Sequence, residues 1–424
     1  MMTSVWTQAR AWARAQDDAG GPLAAARGQF QLPRGANGGE AVYCCGHSLG
    51  PLPRAASEHV RAVLETWGER AVEGHVAGSP SWSAYAEPLA RSSARLVGAQ
   101  PDEVAVMHSL TVNLHLMLAS FYRPTPARHC ILIERPAFPS DRYAVASQLQ
   151  WHGYDPAAAL LEVGARPGEA ALRPEDLLAQ IEAAGPRLAL VLLGGVNYYT
   201  GQAFDLAAVA RAAHAAGALA GFDLAHAVGN IPLALHDADA DFAIWCGYKY
   251  LNGGPGAPAA AFVHQRHFSG PAPRPRLAGW WGNRADTRFE MRPGFEPEHG
   301  AAGWVLSCPS ILALAGLKAG LEIFDSVPLE AWQAKARALS AGFERWASEL
   351  LPQVRRITPA VPEQRGAQWS LDLGARAATV HDSLRQAGIY SDVRGPILRL
   401  AFHPLYNRFQ DVAAALEALD RAIA

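Results

Sequence analysis

The sequence predicts an α/β protein in two lobes: a large lobe built on a mostly parallel sheet with helices on both faces, and a smaller C-terminal α/β lobe. Three observations predict it. Between about residues 55 and 325, short apolar runs alternate with stretches of helical spacing, the pattern of strands buried on both faces and joined by crossover helices. After Pro352 the pieces become shorter, and some alternate apolar with polar like half-buried strands. The chain has 424 residues, half of them hydrophobic and 18% charged, ample for two lobes.

Taken in order, residues 1–32 are rich in Ala and Arg but carry Asp17 and Asp18 and no apolar signal core, which reads as mature sequence of a cytoplasmic protein. Residues 1–54 are expected to help complete the small lobe, 55–325 to form the large domain and 326–424 the small one. The runs 130–133, 188–193, 218–222, 242–246 and 259–263 read as buried strands. The segments 175–184 and 206–216 between them show helical spacing. From 311 to 351 the pattern is long and helical. Beyond it, 368–373 and 397–401 alternate as strands, 378–387 reads as a helix, and 409–424 as a closing amphipathic helix. Pro/Gly clusters at 19–22, 33–39, 78–80, 253–258 and 270–275 punctuate the chain.

Bulk chemistry excludes several classes. Lys plus Arg is 37 against 39 for Asp plus Glu, a formal charge of −2 that argues against nucleic acid or an anionic membrane as partner. No apolar run approaches a membrane span. The five cysteines form no CxxC pair, and the histidines lack metal-site spacing, so reduced thiols and no metal are expected.

The segment 241–256 carries the strongest chemical signal: an apolar run ending in Tyr248-Lys249-Tyr250 and a glycine-rich turn. Upstream, Gly221-Phe222-Asp223 is a second apolar segment ending in a single acid. A lysine amine at a strand end and a carboxylate at a neighbouring one suit pyridoxal 5'-phosphate (PLP). The lysine would hold its aldehyde as a Schiff base, and the acid would keep its pyridine nitrogen protonated. Alone, Lys249 reads more readily as a surface lysine in a loop, and Asp223 as a helix N-cap. Ser109-Leu110-Thr111 opens a helical run, and free N–H groups there suit a phosphate. Phe138-Pro-Ser-Asp141 follows the strand at 130–133, where an aromatic could stack on a pyridine ring. Asn197–Gln202 forms a polar turn at the same sheet edge. Arg399 alternates with apolar neighbours and could hold a substrate carboxylate, or form an interlobe salt bridge.

From about residue 42 onward these residues resemble the kynureninase family, PLP enzymes of fold type I. The segments that carry the resemblance are Gly46-His-Ser-Leu-Gly50, Gly74-His75, Leu110-Thr-Val-Asn-Leu-His115, Phe138-Pro-Ser-Asp141, Tyr198-Tyr-Thr-Gly-Gln202, 221–230 and Tyr248-Lys-Tyr-Leu-Asn252. Gly279-Trp280, Thr287-Arg-Phe289 and Pro404-Leu-Tyr-Asn407 extend it. The resemblance implies a seven-stranded type of sheet, PLP as cofactor, and hydrolysis of L-kynurenine, or a ring-substituted kynurenine such as 3-hydroxykynurenine, to an anthranilate and L-alanine. It gives Lys249 and Tyr248 the catalytic roles. Leu110 and Thr111 go to the phosphate, with Tyr248 and Trp280. Phe138, Ser140 and Asp141 go to the ring, Asp223 to the pyridine nitrogen with His226 nearby, and Arg399 to the substrate carboxylate. His75 and Ser307 fall at the aryl end, and Cys308 near the cofactor. It also implies a homodimer with shared active sites, in which Trp280 and Cys308 come from the partner subunit.

Four positions depart from the family's pattern: His47, Gly194, Asn283 and Cys308 stand where Asn, a small polar residue, His, and Asn or Thr are usual. Cys308 removes a strong hydrogen-bonding side chain, which points to altered aryl specificity. A PLP lyase or β-eliminating enzyme acting on another amino acid is the alternative, and a non-catalytic PLP-fold protein a weaker one, because Lys249, Asp223 and Tyr248 are all intact.

Overall fold

The computed structural model describes residues 2–36, 38–268 and 274–424, so the Pro/Gly clusters at 33–39 and 270–275 fall partly outside the described residues. Seven strands form the central sheet: β1 (Val104–Val106), β2 (Cys130–Arg135), β3 (Leu160–Gly164), β4 (Leu188–Gly194), β5 (Leu219–Asp223), β6 (Phe242–Cys246) and β7 (Ala259–Val263). Their order is β1-β7-β6-β5-β4-β2-β3. β7 runs antiparallel to both its neighbours, and the remaining pairs are parallel.

Successive strand residues point to opposite faces, and the core divides accordingly. Ile131, Ile133, Leu190, Leu192, Phe242 and Ile244 pack with Leu114, Met117, Val145 and Leu149 of the helices Leu110–Phe121 and Pro139–Trp151. Leu132, Val191, Leu193, Phe222, Ala243 and Trp245 face the other way, into a cluster that includes Leu177, Val209 and Leu314. Covered on both faces, these strands have no polar alternation to show, which is why they read as continuous apolar runs. Gly221 is required between β5 and β6: a Cβ there would lie 2.1 Å from the Phe242 ring.

The expected strands are all present, with ends shifted by one or two residues. Two strands of the central sheet have no counterpart in the sequence reading. β1 is three residues long, and β3 is a partly exposed edge strand that follows directly on the one-turn helix Pro156–Ala159. The single long helical pattern over 311–351 is two helices, Ile311–Asp325 and Leu329–Leu350. The second is capped by Pro328, which cannot continue the first.

A four-stranded antiparallel sheet follows, with Gln368–Asp372 and Ile397–Ala401 at its centre. The N-terminal segment serves both cores. Ala9 and Ala13 of the helix Met2–Asp18 join the cluster of Phe343, Trp369 and Leu416, whereas Leu23, Phe30 and Leu32 join the large one. Val42–Tyr43 pairs in parallel with Ile389–Tyr390. Among the described residues, no helix is long and apolar enough to cross a membrane.

Candidate active site

Parallel strands deliver their carboxyl ends to one edge of the sheet, and there β2, β4, β5 and the turn after β6 open onto a cavity of about 350 Å³. Lys249 stands three residues beyond β6. Its carbonyl accepts the N–H of Asn252 at 3.0 Å, and the carbonyl of Tyr248 accepts the N–H of Gly50 at 2.8 Å, so the turn is fixed from two sides. The Lys249 ammonium lies 5.7 Å from the centroid of the Phe138 ring. It makes no hydrogen bond or ion pair within range among the described residues.

Three carboxyl groups face this one amine: Glu134 from β2, Asp141 from the helix Pro139–Trp151, and Asp223 from β5. Asp223 accepts the N–H of Ala225 at 2.8 Å. Glu134 accepts the N–H of Gly194 at 3.1 and 3.2 Å. Burial pushes Glu134 up to about 7. The Asp223 charge adds to the rise, and the N–H groups of Glu134 itself and Gly194 oppose it. Burial also raises Asp223, against the Lys249 charge and the Ala225 N–H. Asp141 is raised as well, by burial and then by Asp223 and Glu134. The cavity is also lined by Arg394 and Arg399, so its three acids face three bases in all.

The helix Leu110–Phe121 presents its N-terminus to the same cavity. Ser109 sits at its N-cap in extended conformation without making a side-chain cap, which leaves the first-turn N–H groups available to an anion. Thr111 Oγ1 lies 2.8 Å from Ser140 Oγ, so two hydroxyls bracket that position. An amine, an anion-ready helix start, a buried carboxylate and the Phe138 ring fit a phosphorylated pyridine aldehyde. Lys249 would hold its carbon, the helix start its phosphate and Asp223 its ring nitrogen.

On the small-lobe side, Arg399 is 2% exposed, flanked across the sheet by Ser370 and Asp392. It donates to the carbonyl of Tyr198 at 2.7 Å and pairs with Asp392 at 2.9 Å. Its Nε has no partner. Asp392 also accepts the Ser48 hydroxyl at 2.7 Å and pairs with Arg394 at 2.8 Å. His226 and His47 are both buried in the cavity wall, with ring centroids 6.2 Å apart, and burial keeps both neutral. Burial, then the neighbouring Cys246, raises Tyr248 and keeps its phenol protonated.

The fold thus gathers Leu110, Thr111, Phe138, Ser140, Asp141, Asp223, His226, Tyr248, Lys249 and Arg399 in one cavity. Within one chain it leaves out His75 and Ser307, and also Trp280 and Cys308, the two expected from the partner subunit. His75 and Cys308 line a separate cavity of about 280 Å³ with Trp67 and Trp82. Ser307 is exposed. Trp280 is 47% exposed, its ring edge-on to Trp281 and Phe289 and its N–H donating to the Arg288 carbonyl at 3.1 Å.

Sequence reasoning missed Glu134, Asp392 and Arg394. A charge ending the apolar run at 130–133 was a usable signal for Glu134. Asp392 and Arg394 lie in a three-residue strand turned back by Gly395-Pro396, too short to read. Away from the cavity, Glu103, His236 and His264 come within metal-ligand reach despite their scattered positions. Glu103 is already committed there, accepting from His236 and from the N–H groups of Gln100 and Gln265.

An amine after one strand, an acid ending its neighbour and an anion-binding helix start, on a sheet of this order, define a PLP-dependent enzyme of fold type I. Solved structures agree on the fold. The cysteine desulfurase CsdA of Escherichia coli superposes with a TM-score of 0.75 at 21% identity, over 95% of this chain and 98% of that one. A structure of the cystine C–S lyase C-DES with its product cysteine persulfide gives 0.74 at 18%, over 90% and 97%. A C-DES variant with glycine covalently linked to its PLP cofactor gives 0.76 at 18%, over 93% and 98%.

Sequence comparison identifies the family. Residues 332–419 match the model of the kynureninase C-terminal domain. The kynureninase of Koribacter versatilis (strain Ellin345) is 50% identical over 93% of this chain and 93% of the relative. That of Myxococcus xanthus (strain DK1622) is 50% identical over 95% of each. The chain belongs to the kynureninase family, PLP-dependent hydrolases of carbon–carbon bonds.

Proposed function

We propose that this protein hydrolyses the Cβ–Cγ bond of L-kynurenine or a ring-substituted kynurenine such as 3-hydroxykynurenine, releasing an anthranilate and L-alanine. The observation that carries the reading is the single cavity that joins Lys249, Asp223 and the Leu110–Thr111 helix start to Arg399, in a chain half identical to named kynureninases. Arg399 binds the substrate carboxylate, with Asp392 and the Tyr198 carbonyl holding the guanidinium in place. Lys249 moves the proton at the substrate α-carbon. Asp223 keeps the ring nitrogen protonated, and the bound cofactor then supplies an electron sink at that carbon. Tyr248, a phenol already protonated at neutral pH and held so more firmly by burial, donates at the carbonyl side as water adds to the γ-carbon.

The reading includes a cytoplasmic homodimer with shared sites, in which the partner supplies Trp280 and Cys308 to this cavity, and His75 and Ser307 form its aryl end. Exposed apolar side chains support a second copy: Trp67, Val72 and Val76 near His75, and Trp280, Phe289 and Met291 beyond. The test is anthranilate fluorescence on adding L-kynurenine, with 3-hydroxykynurenine assayed alongside. The wild type should turn over at least one of them, and Lys249→Ala neither. A yellow protein inactive on all kynurenines but active in β-elimination would overturn the reading. Cys308→Asn should shift the ratio of the two rates several-fold, and an unchanged ratio removes Cys308 from the aryl site.

A further inference from the structure

His47 carries an unusual combination of features. It is 1% exposed, and neither ring nitrogen has a hydrogen-bond partner. Its Nε2 lies 3.8 Å from Asp392 Oδ2, beyond hydrogen-bond length. Buried polar groups are nearly always paired, because an orphan keeps its full desolvation cost. The ring is also fixed in place. The Ser48 hydroxyl bonds Asp392, and the N–H groups of Ser48 and Leu49 both bond the Cys45 carbonyl. The loop packs at closest approach on both sides: a Cβ on Gly46 would lie 2.0 Å from the Tyr406 hydroxyl, and one on Gly50 2.3 Å from Asn252 Oδ1.

His47 lines the same cavity as Lys249 and Arg399; those two cations and Arg394 bear on it, with the Asp392 carboxylate 3.8 Å away. Burial first, and then these cations, keep the imidazole neutral, so it carries one N–H. Arg399 has the matching defect. Its Nη1 and Nη2 are engaged, but Nε–H is buried with no acceptor. His47 and Arg399 thus each bring an unpaired donor to one cavity, and a carboxylate offers two oxygens.

We propose that His47 is a second donor to the α-carboxylate of the substrate, beside Arg399, and thereby selects α-amino acids over their amides. The proposal rests on the reading of Arg399 as the carboxylate site but not on kynurenine being the substrate. It makes His47 a specificity-determining residue that contacts substrate rather than cofactor.

The test is binding of L-alanine and L-alaninamide to the cofactor-loaded protein, followed by the visible absorbance change, with no turnover required. Wild type should prefer L-alanine. His47→Leu should weaken L-alanine roughly tenfold or more while L-alaninamide stays within about twofold, as expected for losing a hydrogen bond to a charged group. His47→Asn, which keeps an N–H at smaller volume, should recover most of the preference and covers the case in which His47→Leu does not fold. Equal weakening of both ligands in His47→Leu, no rescue by His47→Asn, or no preference in the wild type would each overturn the proposal. A protein that shows the preference but cleaves no kynurenine would sink only the substrate reading.

Discussion

Replacing Glu134 with Gln tests the crowding of acids in the cavity most directly. Burial moves this carboxyl from its ordinary 4.5 up to about 7, with Asp223 adding to the rise. Between those two values the folded apoprotein binds a proton that the unfolded chain has released. Stability from this group therefore falls as pH rises from about 4.5 to about 7, and the loss is complete above that. A difference of about 2.5 units corresponds to roughly 3.4 kcal/mol, a factor of about 300 in the folding equilibrium. Gln cannot ionise and keeps one oxygen for the Gly194 N–H, which now meets both. The apoprotein of Glu134→Gln should match wild type within about 1 kcal/mol at pH 5 and exceed it by about 2–3 kcal/mol at pH 8. Urea unfolding of both apoproteins at the two pH values reads this out. The same pH slope in both apoproteins would show that Glu134 ionises normally and that the acid cluster does not strain the empty site.

Asp223→Asn keeps the Ala225 N–H through its carbonyl but turns an amide donor toward the cofactor site. Losing a charge-assisted bond of about 1.5–3 kcal/mol should weaken cofactor binding roughly 10–150-fold in an absorbance titration, and a change within threefold would remove Asp223 from that role. Asp392→Asn leaves Arg399 without its anionic anchor, and should lower kcat/KM roughly 10–100-fold through KM with cofactor affinity unchanged; a cofactor defect instead would count against it. Asp241, at the opposite end of β6, accepts from the Ala220 N–H and from His214 and His267, and pairs with Arg266 at 2.8 Å. Burial opposes its ionisation, but those two histidines and Arg266 outweigh it and hold the carboxyl well below the usual range. Its contribution is present above the ordinary carboxylate range and lost as pH falls through the depressed value, so Asp241→Asn should cost about 3–5 kcal/mol at neutral pH with cofactor affinity intact. A melting temperature unchanged from wild type would refute this.

The sequence by itself determined the strands that carry the chemistry. β4, β5 and β6 are buried on both faces, so burial writes them as uninterrupted apolar runs, and the residues that end them, Asp223 and then Tyr248-Lys249, stand out against that background. The helix start at Leu110 and the buried Arg399 were legible for the same reason: a polar group in an apolar setting has few causes. Tertiary structure alone decided the rest. β1 and β3 owe their conformation to partners already in the sheet rather than to local pattern. Glu134, Asp141 and Asp223 come from three separate elements, and their mutual repulsion exists only once the sheet sets those elements side by side. The grip of Asp392 on Arg399 arises from a cross-strand register, and the unpaired nitrogens of His47 from a loop packed against both lobes. His75 and Ser307 lie apart from Lys249 because one chain does not fold them together, which spacing along a sequence has no means to express.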